Sequence, residues 1–247
     1  MSLKFGLIGK RLSHSFSPGY FNSKFSREGI HAFYEKLELE QIEDFRELKR
    51  ARNFSGFNVT LPYKEVIIDF LDDMDPIAAE IGAVNTIKIS SQGYKGYNTD
   101  VYGFELSLLN LVGDASAIKK ALILGSGGGA KAVQYVLRKL GIDFLTVSRL
   151  KAGDLTYGDI DKKLLETTHL IVNTTPLGMF PDIETFPDIP YDLLSSNYFL
   201  FDLIYNPEKT IFLTKGWQRG SNIKNGLEML ILQAEKAWEI WNQPETT

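Results

Sequence analysis

Short apolar runs of strand length alternate with stretches of helix length along this chain, and that alternation constrains its fold more than any other feature. Lys4 to Ile8 reads as a buried strand closed by Gly9, and Pro18 through Gly29 as the helix that follows a loop. Phe33 to Leu37 is the next strand, Gln41 to Arg52 its helix, and Gly56 to Leu61 a further strand closed by Pro62. Strands alternating with helices predict the α/β class with a mainly parallel sheet, in which ligand sites lie at the carboxyl ends of the strands.

The pattern restarts near Val101. Tyr102 to Val112 reads as a connecting helix, and a fresh β-α-β unit begins at Lys120 with the run Ala121 to Leu124. Its helix is Lys131 to Leu140, and its further strands are Phe144 to Val147, His169 to Asn173 and Tyr198 to Leu203. The chain of 247 residues, 44% hydrophobic and 23% charged, is long enough for two modest cores. Two domains are expected: residues 1–101, completed by a C-terminal helix within 226–247, and residues 102–225. In the closing helix, Gly226 to Trp241, the spacing places Leu227, Leu230, Ile231, Ala234, Trp238 and Trp241 on one apolar face, with Met229 and Gln233 on another. Such a helix suits a return to the first domain. Pro181 to Pro190 reads as a proline-interrupted surface loop, and no internal repeat is visible.

Several function classes are excluded early. A formal charge of -4 provides no broad basic field for nucleic acid. The absence of cysteine removes disulfide scaffolds, thiol catalysis and thiolate metal sites, and is compatible with a reducing cytoplasm. His14, His31 and His169 are scattered outside any metal-ligand spacing, so no metal is expected. No apolar run approaches the ~20 residues of a membrane span, and the N-terminus lacks the marks of a signal peptide, so a cytoplasmic protein without membrane partners is expected.

After the strand ending at Leu124 comes Gly125-Ser126-Gly127-Gly128-Gly129-Ala130-Lys131-Ala132, opening onto a helix. Glycines there let the backbone turn tightly and approach a pyrophosphate, whose charge is stabilised by free N–H groups and the positive end of the helix dipole. Strand before and helix after are the context that a Rossmann-like dinucleotide-binding domain requires. The following strand ends Thr146-Val147-Ser148-Arg149. An NAD site usually carries a carboxylate there for the ribose 2′-hydroxyl, whereas this tip carries Ser148, Arg149 and Lys151. Arg149 can pair two hydrogen bonds with a 2′-phosphate and Lys151 adds charge, so NADP is the expected cofactor.

The first domain holds a second constellation, in Ser13-His14-Ser15-Phe16-Ser17-Pro18, Asn58-Val59-Thr60-Leu61-Pro62-Tyr63-Lys64, Gly82-Ala83-Val84-Asn85-Thr86 and Gly96-Tyr97-Asn98-Thr99-Asp100. Taken singly these are helix caps, turn formers and surface charges. Together they present hydroxyl and amide groups after strands, as a polyhydroxylated ligand requires.

These motifs, in this order and over nearly the whole chain, resemble the shikimate dehydrogenase family. The resemblance implies reversible, NADP-dependent reduction of 3-dehydroshikimate to shikimate, in aromatic amino acid biosynthesis. It implies that Ser15 and Ser17 bind the substrate carboxylate, that Asn58, Thr60 and Asn85 bind the rest of the substrate, and that Lys64 and Asp100 form the catalytic pair. Tyr205, in Asp202-Leu203-Ile204-Tyr205-Asn206-Pro207, and Gln233 complete the implied substrate shell. The stretch Asn173-Thr174-Thr175-Pro176-Leu177-Gly178-Met179, together with Leu203 and Gly226, resembles the family's signatures near the nicotinamide, with Thr174 a candidate cofactor contact. The chain departs from the family pattern in its three consecutive glycines and Lys131, in Ser148 where Asn is frequent, and in Leu203 where Met is common.

Reduction needs a proton donor within about 3 Å of the carbonyl oxygen, and a lysine ammonium suits that task. Two lobes closing over the ligands would exclude water while hydride moves. The alternatives are a quinate/shikimate dehydrogenase using NAD and a dinucleotide-sensing module without catalysis. Quinate-accepting relatives often replace one serine of the Ser-x-Ser pair, while Ser15 and Ser17 are both present; Arg149 disfavours NAD, and a sensor has no need for Lys64 and Asp100. Monomer and homodimer are both open.

Overall fold

A computed structural model describes residues 2–13, 15–51, 53–149 and 153–244. The chain divides into two compact units, one made of Met1–Thr99 with Ala234–Thr247 and the other of Asp100–Gln233. The division falls inside the last helix.

The first unit is built on β1 (Leu3–Gly9), α1 (Phe16–Glu28), β2 (Ala32–Glu38), α2 (Phe45–Ala51), β3 (Gly56–Val59), β4 (Asp73–Met74), α3 (Pro76–Ile81), β5 (Thr86–Ser90) and β6 (Gly93–Tyr97). Its six strands are ordered β2-β1-β3-β5-β6-β4. The β1 pairings with β2 and β3 are parallel, as is β4 with β6, whereas β3–β5 and β5–β6 are antiparallel. The β5–β6 hairpin closes through Ser91-Gln92 with Ser90 opposite Gly93, without the Asn-Gly or Asp-Gly turn that would announce it in sequence. The stretch expected as one helix from Gln41 divides into a 3₁₀ turn over Ile42–Asp44 and α2; Arg52, its expected end, lies outside the described residues. In α3, Pro76 occupies the first turn and Asp75 accepts from the Ile77 N–H at 3.0 Å, so its N-terminus is both pre-set and capped.

Side chains alternate across β1 with the period of a strand. Phe5 and Leu7 join a core with Phe21, Phe25, Tyr34 and Ala234, while Ile8 joins another with Phe57, Val59, Ile67 and Ile87. Trp241 seals the first core, its ring stacked on Phe5 at 4.5 Å and its Nε1 donating to the Ile87 carbonyl at 2.9 Å.

The second unit comprises α4 (Asp100–Val112), β7 (Lys120–Leu124), α5 (Gly128–Lys139), β8 (Asp143–Val147), α6 (Lys162–Glu166), β9 (Leu170–Asn173), β10 (Phe199–Asp202), α7 (Ile211–Gln218), β11 (Asn222–Lys224) and the first part of α8 (Leu227–Asn242). Its sheet is parallel throughout, in the order β11-β10-β9-β7-β8. Counted from β7 this is the doubly wound order 2-1-3-4-5, whose switch point lies between β7 and β9. Buried Ala130, Val133, Val136 and Leu137 follow the helical repeat along α5. Leu122, Leu124, Val147, Ile171, Leu200 and Phe212 form the main core of this unit. The segment 181–190 carries no helix or strand.

The apolar face expected for α8 is corrected by the structure. Met229, Gln233, Ala234, Ala237 and Ile240 are its buried positions, Leu227 is 38% exposed, and Leu230 and Ile231 are only half-buried. Ala234, Trp238 and Trp241 do pack together in the first unit. Helical spacing alone could not tell which of two apolar stripes meets protein at each end of a helix shared by two units.

Candidate active site

In the first unit Ser15 and Ser17 open α1, Asn58 lies in β3 with Thr60 and Lys64 on the loop after it, and Asn85 immediately precedes β5. Ser15 is the N-cap of α1, with ψ 136°, yet its side chain makes no capping hydrogen bond. Ser17 is buried two residues on, within the first turn of α1. The buried Tyr34 hydroxyl donates to Asn58 Oδ1 at 2.8 Å. Asn58 Nδ2 donates to the Asn85 carbonyl at 3.2 Å and to Thr86 Oγ1 at 3.0 Å. Asn85 Oδ1 accepts from the Thr99 N–H at 2.7 Å, and Thr86 and Thr99 hydroxyls lie 3.3 Å apart. The structure therefore brings Asn58 and Asn85 into one buried network, with Tyr34, Thr86 and Thr99 as further members that the sequence reading did not single out. The available signal for Tyr34 was a phenol on the inward face of β2, flanked by the exposed Phe33. Burial is the main reason why the Tyr34 hydroxyl titrates well above its ordinary value, with the nearby Ser17 acting weakly in the opposite direction.

Thr60 and Lys64 lie on the loop that leaves β3. The Thr60 N–H donates to the Ile8 carbonyl at 2.8 Å, and the Lys64 carbonyl accepts from Val84 N–H at 2.7 Å, so the loop backbone is held from both sides. The Lys64 side chain is half-buried. Asp100, 6% exposed, is the first residue of α4, where its charge meets the positive end of the helix dipole. Asp100, Tyr205 and Gln233 belong to the second unit, and Ser15, Ser17, Asn58, Thr60, Lys64 and Asn85 to the first. Tyr205 follows β10 and its hydroxyl pKa is pushed up by burial. Gln233, buried on α8, donates from Nε2 to the Leu230 carbonyl at 2.9 Å.

In the second unit the glycine-rich turn sits at the switch point. Gly125 has φ +112°, and a Cβ there would lie 2.6 Å from Thr174 Oγ1, so glycine is required on both backbone and steric grounds. Gly127 and Gly129 instead face open space: a Cβ would meet nothing within 4 Å at Gly127 and only Leu203 Cδ1, at 3.8 Å, at Gly129. Gly127 caps α5 without a side chain, Gly128 and Ala130 are buried in its first turn, and that turn carries no acidic residue. Uncapped N–H groups at the end of a 12-residue helix, beside room left by absent side chains, fit a dinucleotide pyrophosphate.

The tip of β8 fits a 2′-phosphate. Ser148 is buried, Arg149 is exposed, and Lys151 lies outside the described residues. The nearby carboxylate of Asp154 is turned back on the strand, accepting from the Thr146 N–H at 2.8 Å. Gly226 has a different explanation: a side chain there would run into the Leu203 carbonyl, and its N–H donates to the Ile204 carbonyl at 3.0 Å.

The strand ends around this turn are laced together. The Thr174 hydroxyl donates to the Leu124 carbonyl at 2.8 Å, and the Leu203 N–H to the Asn173 carbonyl at 3.0 Å. Asn173 Oδ1 accepts from Thr175 N–H at 3.1 Å, and its Nδ2 donates to Asp202 Oδ1 at 3.0 Å. Asp202, fully buried, also accepts from the Ile204 N–H at 3.1 Å and the Thr210 hydroxyl at 2.6 Å. Burial pushes its carboxyl up to about 7 even though all three hydrogen bonds act to lower it. Asp202 is a further residue that the sequence reading quoted only as part of a motif. Among the described residues no cluster of His, Asp or Glu could hold a metal ion, and no helix is long and apolar enough to cross a membrane.

Comparison with known proteins bears on the whole chain. Residues 7–87 match the shikimate dehydrogenase substrate binding domain. A curated shikimate dehydrogenase (NADP(+)) from Caldicellulosiruptor saccharolyticus is 40% identical, across 96% of this chain and 91% of that protein. The chain belongs to the shikimate dehydrogenase family. Shikimate dehydrogenase from Aquifex aeolicus superposes with a TM-score of 0.88 at 34% identity, covering 100% of this chain and 94% of the other. The shikimate 5-dehydrogenase of Thermus thermophilus, solved in complex with NADP(H) and shikimate, gives a TM-score of 0.83 at 31% identity, covering 97% and 93%.

Proposed function

We propose that this chain catalyses the reversible, NADP-dependent reduction of 3-dehydroshikimate to shikimate, with Lys64 and Asp100 as its acid–base pair. The observation that carries the reading is the full-length kinship with NADP-dependent shikimate dehydrogenases at 40% identity. It is supported by the open space beside Gly127 and Gly129 at the α5 N-terminus and by a strand tip that carries Arg149 in place of a carboxylate.

Bound NADPH supplies the hydride to the carbonyl carbon. Lys64 Nζ gives a proton to the carbonyl oxygen as negative charge develops there, and the resulting amine regains a proton from solvent. Asp100 stabilises the ammonium form of Lys64. Ser15 and Ser17 hold the substrate carboxylate; Asn58, Thr60, Asn85, Tyr205 and Gln233 bind the ring and its hydroxyls. Neutral hydroxyl and amide groups suit such a ligand, because each recognised hydroxyl that is missing leaves a buried group unpaired at about 1 to 3 kcal/mol. Arg149, with Ser148 and Lys151, takes the 2′-phosphate; Gly125, Gly127, Gly128, Gly129 and Ala130 take the pyrophosphate; Thr174, Leu203 and Gly226 border the nicotinamide. A first domain of residues 1–101 completed by the C-terminal helix, a cofactor domain of residues 102–225, a cytoplasmic place of action and a monomeric or homodimeric state belong to the same proposal.

The test is NADPH formation from shikimate, run beside quinate and beside NAD. Shikimate with NADP is expected to give the highest kcat/KM, and equal rates with quinate or NAD would overturn the assignment. Lys64→Ala is expected to lower kcat about 10² to 10⁴-fold with a smaller change in KM. Near-native turnover by that variant would remove Lys64 from the chemistry.

A further inference from the structure

β8 is the outer strand of the second sheet, paired with β7 on one side, so the backbone groups along its other edge must find partners elsewhere. The chain that leaves β8 after Ser148 comes back along that edge, with Leu155 opposite Val147 as a short parallel bridge. The Leu155 N–H donates to the Thr146 carbonyl at 3.1 Å, and the Ser148 N–H donates to the Leu155 carbonyl at 2.9 Å. The Thr146 N–H donates to Asp154 Oδ2 at 2.8 Å. The Thr146 hydroxyl accepts from Gln134 Nε2 at 3.0 Å, which ties the same residue to α5. The approach is close, since a Cβ on Gly153 would lie 2.5 Å from the Thr146 carbonyl oxygen.

Arg149 stands exposed between these two anchored ends. A carboxylate five residues further on is an obvious partner for it on charge alone, and an Arg149–Asp154 pair would cancel the charge that a 2′-phosphate needs. The carboxylate is directed to the strand instead, and among the described residues no ion pair joins the two side chains. The far side of the return is held without Asp154. Leu155 packs against the main core of this unit, and Thr156 donates from its N–H and its hydroxyl to Asp159 Oδ2, both at 2.7 Å. The other bonds between the return and β8 join main chain to main chain, so Asp154 is the position where a side chain sets the geometry.

We propose that Asp154 is a positioning and specificity-determining residue for the cofactor: by binding the Thr146 N–H it fixes the return of the segment that carries Arg149, and so holds an unpaired guanidinium where a 2′-phosphate can meet it. The inference rests on the reading that Arg149 binds the 2′-phosphate. An acidic side chain beside a phosphate site then favours NADP, because what it contributes is order established before the ligand arrives.

Calorimetric titration of NADP and of NAD into the native chain and its variants tests this. Asp154→Ala frees the edge N–H and is expected to weaken NADP binding about 10-fold, on the scale of one charge-assisted hydrogen bond. NAD has no phosphate for Arg149, so its binding should change by less than about twofold. Asp154→Asn keeps an oxygen for the same N–H and should bind NADP within about threefold of the native chain. Once Arg149→Ala is in place, adding Asp154→Ala should weaken NADP binding by less than about twofold, because the clamp acts through the arginine. Equal losses for the two cofactors in Asp154→Ala mark a merely structural role and overturn the proposal. So does an Asp154→Asn variant no better than the alanine, or a full loss added on top of Arg149→Ala. Native NADP affinity in Arg149→Ala overturns the reading of the arginine and the route through it. Native NADP affinity in Asp154→Ala, beside an impaired Arg149→Ala, overturns the positioning role alone.

Discussion

Replacing Asp202 by asparagine should change how stability responds to pH, by an amount that follows from the burial of that carboxyl. Asp202 is fully buried, and its carboxyl is pushed from an ordinary 3.8 to about 7. Between those values the folded chain holds a proton at this position that the unfolded chain has lost. Folding is then proton-binding, so stability falls as pH rises through the window and levels off above about 7. The contribution is fully present below pH 3.8 and lost by the time pH passes the folded value. At about 1.36 kcal/mol per pH unit, the span from pH 5 to 7 costs the native chain about 2 to 3 kcal/mol. Asp202→Asn does not titrate, and it keeps an oxygen to accept from Asn173 and from the Ile204 N–H. Its loss of an acceptor for Thr210 gives an offset of about 1 kcal/mol that does not vary with pH. Urea unfolding of both proteins at pH 5, 6, 7 and 8, followed by circular dichroism, reads the difference directly, since all other titrating groups cancel. The native chain should lose about 2 to 3 kcal/mol relative to the variant between pH 5 and 8. Parallel curves across that range would refute the argument that burial outweighs the three hydrogen bonds.

Arg149→Ala should raise the KM for NADP about 10- to 100-fold, the worth of a charge-assisted hydrogen bond, and leave the KM for NAD within about threefold. Equal effects on the two cofactors would separate Arg149 from the 2′-phosphate. Gly125→Ala forces a side chain into a backbone with φ +112° and against Thr174 Oγ1, so it should destabilise the chain by about 1 to 3 kcal/mol in a denaturant titration and weaken NADP binding measured by fluorescence. A stable variant with native NADP affinity would contradict the close approach of the turn to β9.

The parallel strands were legible because crossover connections leave a one-dimensional trace: an apolar run, a glycine or proline, then a helical repeat. Lys120–Leu124 followed by Gly125 and α5 is the clearest case. The β5–β6 hairpin was not legible, since Ser91-Gln92 is an unremarkable pair and the strands are held by pairing across the sheet. Sequence spacing also gave the wrong buried face at Leu227, because a helix with two apolar stripes does not state what each will meet.

For the candidate site the division is sharper. Residue types along the chain were enough to name the polar groups, the pyrophosphate turn and the cationic strand tip, because each depends on chemistry carried by neighbouring residues. The company those groups keep came from the fold alone. Tyr34, Asn58 and Thr86 stand on three strands separated in sequence, and Asn173, Asp202 and Thr210 on another three segments. Which hydroxyl donates, which amide is locked and which carboxyl is held near neutrality are properties of contact and burial, and a linear order of residues contains neither.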